Sequence, residues 1–478
     1  MYAVLALVAL IVLFLLLLTM QALMFKPRKQ PVAGKWQGDV DGDRAVANLQ
    51  KMVQCRTVSH DDTDLEDNNE FAGFQKLLAQ EYPLVHRHCR LEKLGRRGLL
   101  YHWPGRSPDK PTVYMSHYDV VPADASVWQH PPFDGVIQDG FLWGRGTLDT
   151  KVTLCGILEA AEQLIDRGFV PANDIYLSFA GDEETSGDSA SAIVDHLEGQ
   201  GVRPHMVLDE GGAVVEGVLP GVKGKCALVG TGEKGKMHLR LSVTSKGGHA
   251  SSPPRHTPVG RLARAICRVE AKPLPYRLAT PAREMLETLG RHAGFAPRLL
   301  YANLGLLGPL LDFFTRKTGG EINALVRTTV AFTKMQASDA VNVFPPAAHV
   351  DADVRINQGS TGESVITEIE QRINDPEVKV HSINTIEVRP FSATGTEPWQ
   401  RLSTAIGQLW AGSLVSPYLM IAATDSRHFT RISDNVLRFS AMELSAEERK
   451  TIHGNDERIP LEKIEDCVKF FLCLMEAS

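Results

Sequence analysis

No charged side chain occurs between Met1 and Phe25, no CxxC pair occurs anywhere, and no basic stretch is interleaved with aromatic residues. Each absence excludes something. With a formal charge of only −6 over 478 residues and no basic, aromatic-lined surface, the chain lacks both the electrostatic footprint and the stacking platform of a nucleic-acid binder. Without CxxC spacing, the seven cysteines (Cys55, Cys89, Cys155, Cys226, Cys267, Cys467, Cys473) offer no thiolate zinc site. Odd in number and widely spaced, they read as packed thiols, with one or two disulfides as the alternative. The uncharged N-terminus also lacks the basic n-region, the apolar core of roughly 7–15 residues and the small-residue cleavage site of a signal peptide. A helix needs about 20 apolar residues to cross a bilayer, so residues 1–25 are expected to form a single-pass anchor that places the protein at a membrane. Lys26, Arg28 and Lys29 follow directly. The positive-inside rule puts them in the cytoplasm, whereas a signal-anchor export route gives the opposite orientation.

A chain of 478 residues with 43% hydrophobic content suits two packed cores. Residues 26–42, with Pro27, Pro31, Gly34, Gly38 and Gly42 among polar neighbours, read as a linker. In 43–235, apolar strand-like runs alternate with helical ones: Thr112–Met115, then a helix over Leu154–Arg167, a strand over Ile175–Ala180, a helix over Ser189–Leu197 and a strand over His205–Leu208. That alternation predicts a layered α/β unit with a mainly parallel sheet, completed by 391–478. Between them, 236–390 follows a β-α-β-β-α-β order, which predicts an inserted ferredoxin-like α+β unit. Within it, 274–325 is a further insertion rich in Leu, Pro and Gly. It reads as a packed helical excursion or, alternatively, as an apolar wall for an acyl group or a membrane surface.

The polar residues of interest sit just after predicted strands: His117 and Asp119, then Asp182 to Glu184, then Asp209. In open α/β sheets the carboxyl ends of strands converge on one cleft. Taken singly, each has an ordinary reading. His117 and Asp119 could be a satisfied polar pair, Asp149 a helix cap, Glu183 and Glu184 a solvated turn, and His453 a loop histidine. Together they are costly to gather without a cation, because adjacent carboxylates repel. Two imidazoles and several carboxylates suit two Zn²⁺, with Mn²⁺ or Co²⁺ as alternatives. One bridging carboxylate with two further ligands on each side would hold such ions about 3.5–4 Å apart, a spacing used to activate water for hydrolysis.

The motifs SHYDVVP, WGRGTLDTK, GDEETSG, LDEGG, GGHASSPP, DADVRI, TDSRHF and HGNDERI occur in this order over nearly the whole chain after the linker. In these the sequence resembles the metallopeptidase family of aminoacylase, carboxypeptidase S and glutamate carboxypeptidase. The nearest branch is that of carboxypeptidase S and the N-fatty-acyl-amino-acid synthase/hydrolases. The resemblance implies that His117 and Asp209 bind one metal, Glu184 and His453 the other, and Asp149 bridges both. Glu183 would be the general base and Asp119 would orient His117. His249 would donate to the oxyanion, reached by closure of the inserted lid/dimerisation unit or from a second subunit of a homodimer. Arg355, Arg427 and Asn342 are candidates for the substrate carboxylate, because a guanidinium fork matches it. One departure is that Lys151 is followed by Val152 and Thr153, where relatives carry small residues; no ligand is lost.

The expected activity is therefore metal-dependent cleavage of an amide or peptide bond next to a free α-carboxylate, possible in both directions, on a small peptide or N-acyl amino acid. The reading from another class is a catalytically silent, metal-binding ligand-capture protein; the intact Glu183 argues against it. An aminopeptidase would need an acidic group for a free α-amine, where Arg355 and Arg427 point to a carboxylate.

Overall fold

The computed structural model describes residues 1–28, 30 and 34–478. Lys29, Pro31, Val32 and Ala33 of the expected linker lie outside them. The main sheet runs in the order Arg90–Leu94, Gly98–Trp103, Asn173–Ala180, Ser107–His117, Met206–Asp209, Val436–Arg438, Cys226–Glu233, Leu414–Met420. The first two pairs are antiparallel, the next three parallel. Because the central strands are covered on both faces they read as continuous apolar runs rather than alternating ones. Tyr114 faces a core formed with helices Lys151–Asp166 and Leu461–Glu476, while Val113 and Met115 face a second core with helix Ser189–Gly199.

Helix Lys151–Asp166 begins one turn earlier than its sequence suggests. The polar and β-branched start Lys151-Val152-Thr153 has modest helix propensity, but tertiary packing overrides it. The buried Lys151 ammonium donates to the carbonyls of Met52 and Cys55 at 2.9 and 2.8 Å. Further along, Gly156 permits close contact with the C-terminal helix: a Cβ there would lie 2.6 Å from Cys467 Sγ. All seven thiols are unpaired.

A separate four-stranded antiparallel sheet runs Thr329–Gln336, Ala347–Ile356, Gly235–Thr244, Lys379–Ile386. Alternate residues such as Met237, Leu239, Val350 and Val354 point to one side and close a core against helices Pro258–Ala271 and Gly362–Ile373. The 274–325 insertion forms helices Thr280–Gly290, Phe295–Tyr301, Leu304–Thr318 and Gly320–Leu325. Its buried residues Leu286, Leu289, Tyr301 and Leu311 join the core of the main sheet, not that of the smaller one.

The N-terminal run forms one helix, Tyr2–Met24, long and apolar enough to cross a membrane. Only Leu18 and Ala22 are buried in it. It rests on the insertion, where Asn303 Nδ2 donates to the Leu18 carbonyl at 3.2 Å and the Arg291 guanidinium lies 4.1 Å from the centre of the Phe25 ring.

Candidate metal centre and active site

Parallel strands bring the site together. His117 closes Ser107–His117, Asp182, Glu183 and Glu184 follow Asn173–Ala180, and Asp209 ends Met206–Asp209. These strands are neighbours, so their carboxyl ends share one edge of the sheet. Asp149 arrives on the loop before helix Lys151–Asp166, and His453 on the turn after helix Ala446–Thr451. His453 holds φ +58°, a left-handed conformation that a non-glycine residue keeps only where its surroundings impose it.

Asp149 is the centre of the cluster. Its Oδ1 lies 3.1 Å from His117 Nε2 and its Oδ2 3.0 Å from His453 Nε2. His453 Nε2 also lies 3.1 Å from Glu184 Oε2, and His117 Nε2 lies 3.3 Å from Glu210 Oε1. Ligand atoms of His117, Asp149 and Glu184 fall within 4.8 Å of one another, as do those of His117, Glu183 and Glu210. Asp149 does not cap the helix that follows: Thr150 is the N-cap residue and makes no side-chain cap bond.

Asp119, fully buried, fixes this arrangement from behind. Its carboxylate accepts from Ser59 Oγ at 2.8 Å and from the backbone N–H groups of Glu183 and Glu184 at 3.1 Å each. His117 Nδ1 lies 3.0 Å from its carbonyl oxygen and 3.4 Å from its carboxylate. A proton on Nδ1 satisfies both and leaves Nε2 free to face the cluster.

Glu210, not Asp209, stands beside His117. Successive residues at a strand end point to opposite sides, and the Asp209 carboxylate turns to accept from the backbone N–H of Ser426 at 3.0 Å. Sequence reasoning passed over Glu210 because the two acids are adjacent and only the local backbone decides between them.

It also passed over Glu457. This carboxylate accepts from the backbone N–H groups of Gly146, Leu148 and Asp149 at 3.1, 2.7 and 3.2 Å, and from Arg145 Nη1 at 2.7 Å. It thereby moulds the loop that presents Asp149, joining segments over 300 residues apart. Both side chains of the Arg145–Glu457 pair are at most 3% exposed. Glu457→Gln leaves Arg145 buried and uncompensated, and is expected to lower unfolding stability by about 3–5 kcal/mol in a denaturant titration.

The donors fit divalent metal ions: two imidazoles, carboxylates and no thiolate. Glu184 Oε1 is buried with no hydrogen-bond partner among the described residues, a costly state unless a cation completes it. Burial pushes the carboxyls of Glu183, Glu184 and Asp209 above their ordinary range, and Glu210 up to about 7. It pushes Asp425, neither of whose oxygens has a hydrogen-bond partner among the described residues, up to about 8. Hydrogen bonds to Asp149 and Glu184 raise His453 to about 10. Burial alone would lower His117, but Glu210, Asp119 and Asp149 face it and hold it well above its usual value.

Without metal, then, the folded form retains protons that the unfolded chain releases. Acids raised from about 4 to 7–8 withdraw stability as pH climbs through that window. His453, raised from 6.5 to about 10, contributes stability below pH 6.5 and loses it as pH rises toward 10. Both effects have the same sign. Chelator-stripped protein is expected to melt at progressively lower temperature from about pH 5 to pH 9, and zinc-loaded protein with a smaller slope; thermal melts in matched buffers check this.

The remaining candidates are spread out. Arg427 is buried, donates to the Thr424 carbonyl at 2.8 Å and lies 3.7 Å from Asp425, so its guanidinium braces its own turn. Arg355 pairs with Asp353 at 2.8 Å on the open face of the smaller sheet. It is directly opposite Lys236, which with His238 and Glu184 lines a cleft of about 310 Å³ between the two sheets. His249 sits in the short ladder Gly248–His249 with Val343–Phe344; the Asn342 carbonyl beside it accepts from Ala250 N–H at 3.0 Å. His249 lines a different cavity, whose walls include none of the cluster.

Residues 113–477 match the family described as Peptidase family M20/M25/M40. The chain belongs to this family. It is 34% identical over 436 residues to Probable carboxypeptidase S-like 2 of Dictyostelium discoideum, covering 90% of this chain and 84% of that one. It is 35% identical over 439 residues to an N-fatty-acyl-amino acid synthase/hydrolase of Xenopus tropicalis, covering 91% and 85%. The fold is that of an M20 family metallo-carboxypeptidase from Sulfolobus solfataricus, with a TM-score of 0.66, 17% identity and coverage of 90% and 98%. Human carnosine dipeptidase 1 superposes with a TM-score of 0.64 at 13% identity, covering 91% and 96%. As an M20 peptidase, this chain is a hydrolase of peptide or amide bonds.

Proposed function

We propose that this protein cleaves the amide bond of N-acyl amino acids or the C-terminal bond of peptides, next to a free α-carboxylate, with two divalent metals held around Asp149. The observation that carries this is Asp149 lying within 3.1 Å of both His117 and His453, a bridging position. His117 and Glu210 would complete one site, with Asp209 behind it, and His453 and Glu184 the other. Zn²⁺ suits these donors best, with Mn²⁺ or Co²⁺ able to replace it; bound there, the ions supply Lewis-acid polarisation and acidify water.

The chain's own residues supply the proton traffic and the positioning. A Glu183 carboxylate oxygen takes the proton of the attacking water and delivers it to the leaving nitrogen; its raised pKa suits a group that must both accept and release. Asp119 holds the imidazole of His117 in one orientation. Arg355, on the face that looks into the inter-sheet cleft, is the better placed of the two arginines to take the substrate carboxylate, with Asn342 and Arg427 as further contributors. His249 would reach the developing oxyanion after closure of the 236–390 unit or from a second subunit of a homodimer. Abundant free amino acid would drive the same site toward condensation. The Tyr2–Met24 helix would anchor the protein in a membrane.

Turnover of matched substrates that differ only in a free or an amidated α-carboxyl group tests the reading with full-length, zinc-loaded protein. The free acids should be preferred by about 10²-fold or more, the worth of a lost charge-assisted pair. Equal rates on the amides would remove the carboxylate from the account.

A further inference from the structure

We infer that the apolar cavity behind Gly211 and Gly212 is the subsite for the acyl chain of the substrate, built in part by the 274–325 insertion. The inference rests on the hydrolase reading and deepens it. The catalytic cleft, about 240 Å³, is walled by Asp149, Glu183, Glu184, Glu210 and His453. A second cavity of about 180 Å³ shares Gly211, Leu444 and Ile452 with it as walls. Its lining is mainly apolar, with Val215 and Val218 from the main unit and Met285, Ile322 and Leu325 from the insertion, beside Tyr418, Glu321 and Arg449.

The junction requires glycine. Gly211 has φ +136°, and a Cβ on it would lie 2.7 Å from Met420 Cε, while one on Gly212 would lie 1.8 Å from the Leu228 carbonyl oxygen. The chain thus turns away directly after Glu210, and the carboxylate-lined cleft and the cavity adjoin at the walls they share. An apolar cavity of about 150 Å³ accepts a six-carbon ring, so this one accommodates about six carbons of a chain. In that lining Glu321 and Arg449, 4.0 Å apart and both exposed, form only a weak surface pair. Helix Gly320–Leu325 packs on Leu304–Thr318, whose Leu306, Leu310, Phe313 and Phe314 are exposed.

A chain entering this cavity gains about fourfold in kcat/KM per buried methylene. The test uses full-length, zinc-loaded protein and N-acetyl, N-butyryl, N-hexanoyl, N-decanoyl and N-oleoyl derivatives of one amino acid. Wild type should show that gradient to about six carbons and a shallower one beyond. Ile322→Trp, and Val218→Phe from the opposite wall, should collapse the hexanoyl-to-acetyl ratio at least tenfold; melting temperature and bound metal establish that each variant folds. A wild-type rate that is flat or falls with length overturns the subsite and leaves the hydrolase reading intact. So does a full gradient retained in both folded variants. If no acyl compound turns over while an N-blocked dipeptide is cleaved, the subsite is overturned and the hydrolase reading stands; if the dipeptide also resists while metal binds, the hydrolase reading fails and the subsite with it.

Discussion

Glu183→Gln is expected to lower kcat by about 10²–10⁴-fold while KM and bound metal change little. The amide keeps the shape of the side chain but cannot take a proton from water or return one to the leaving nitrogen. Glu183 is placed for the task by a long-range tether: its backbone N–H and that of Glu184 both donate to the Asp119 carboxylate, so the two acids share one fixed turn. Single-turnover kinetics with metal content measured on the same samples separate this outcome from simple loss of the metals. A Gln variant that stripped the metals would reassign Glu183 as a ligand.

The second large effect distinguishes two adjacent acids. Glu210→Ala is expected to weaken metal binding and lower kcat/KM by more than about 10²-fold, because the residue beside His117 Nε2 disappears. Asp209→Asn keeps an acceptor for the Ser426 N–H and should cost about tenfold, as outer partners of metal ligands do. Metal titration of the two variants under one buffer reads the contrast. The reverse order, with Asp209→Asn the more damaging, would restore Asp209 as the ligand that the family motif suggests.

Much of the fold was legible because its signals are local. Period-two alternation marks a strand over 237–244 and an apolar run marks one up to Met115, and the structure has Gly235–Thr244 and Ser107–His117 there. The convergence of His117, Glu183, Glu184 and Asp209 follows from one rule, that strand ends in an α/β sheet share a cleft, whereas Asp149 and His453, on a loop and a turn, are indicated only by the family motifs. Where sequence reasoning stopped, the deciding contacts were either too close or too far apart in the chain. Asp209 and Glu210 differ only in which way a strand end turns. Glu457 joins the Asp149 loop from more than 300 residues away, and nothing local marks it apart from its neighbours. The pairing of Arg355 with Asp353 could have been foreseen, since residues two apart on a strand share a face. The insertion read as helical, but its packing on the main core rather than on the smaller sheet depends on tertiary contacts that composition does not encode.

The central claim is that metals held around Asp149 make this site a hydrolase of amides bearing a free α-carboxylate. Its most direct test is stepwise addition of Zn²⁺ to chelator-stripped full-length protein while turnover of an N-blocked dipeptide, an N-acetyl amino acid and an N-oleoyl amino acid is followed. The account predicts activity on at least one of them that rises to a plateau at two equivalents of metal. Uptake of metal with no turnover of any of the three would contradict it and leave a metal-binding protein that captures ligands without cleaving them.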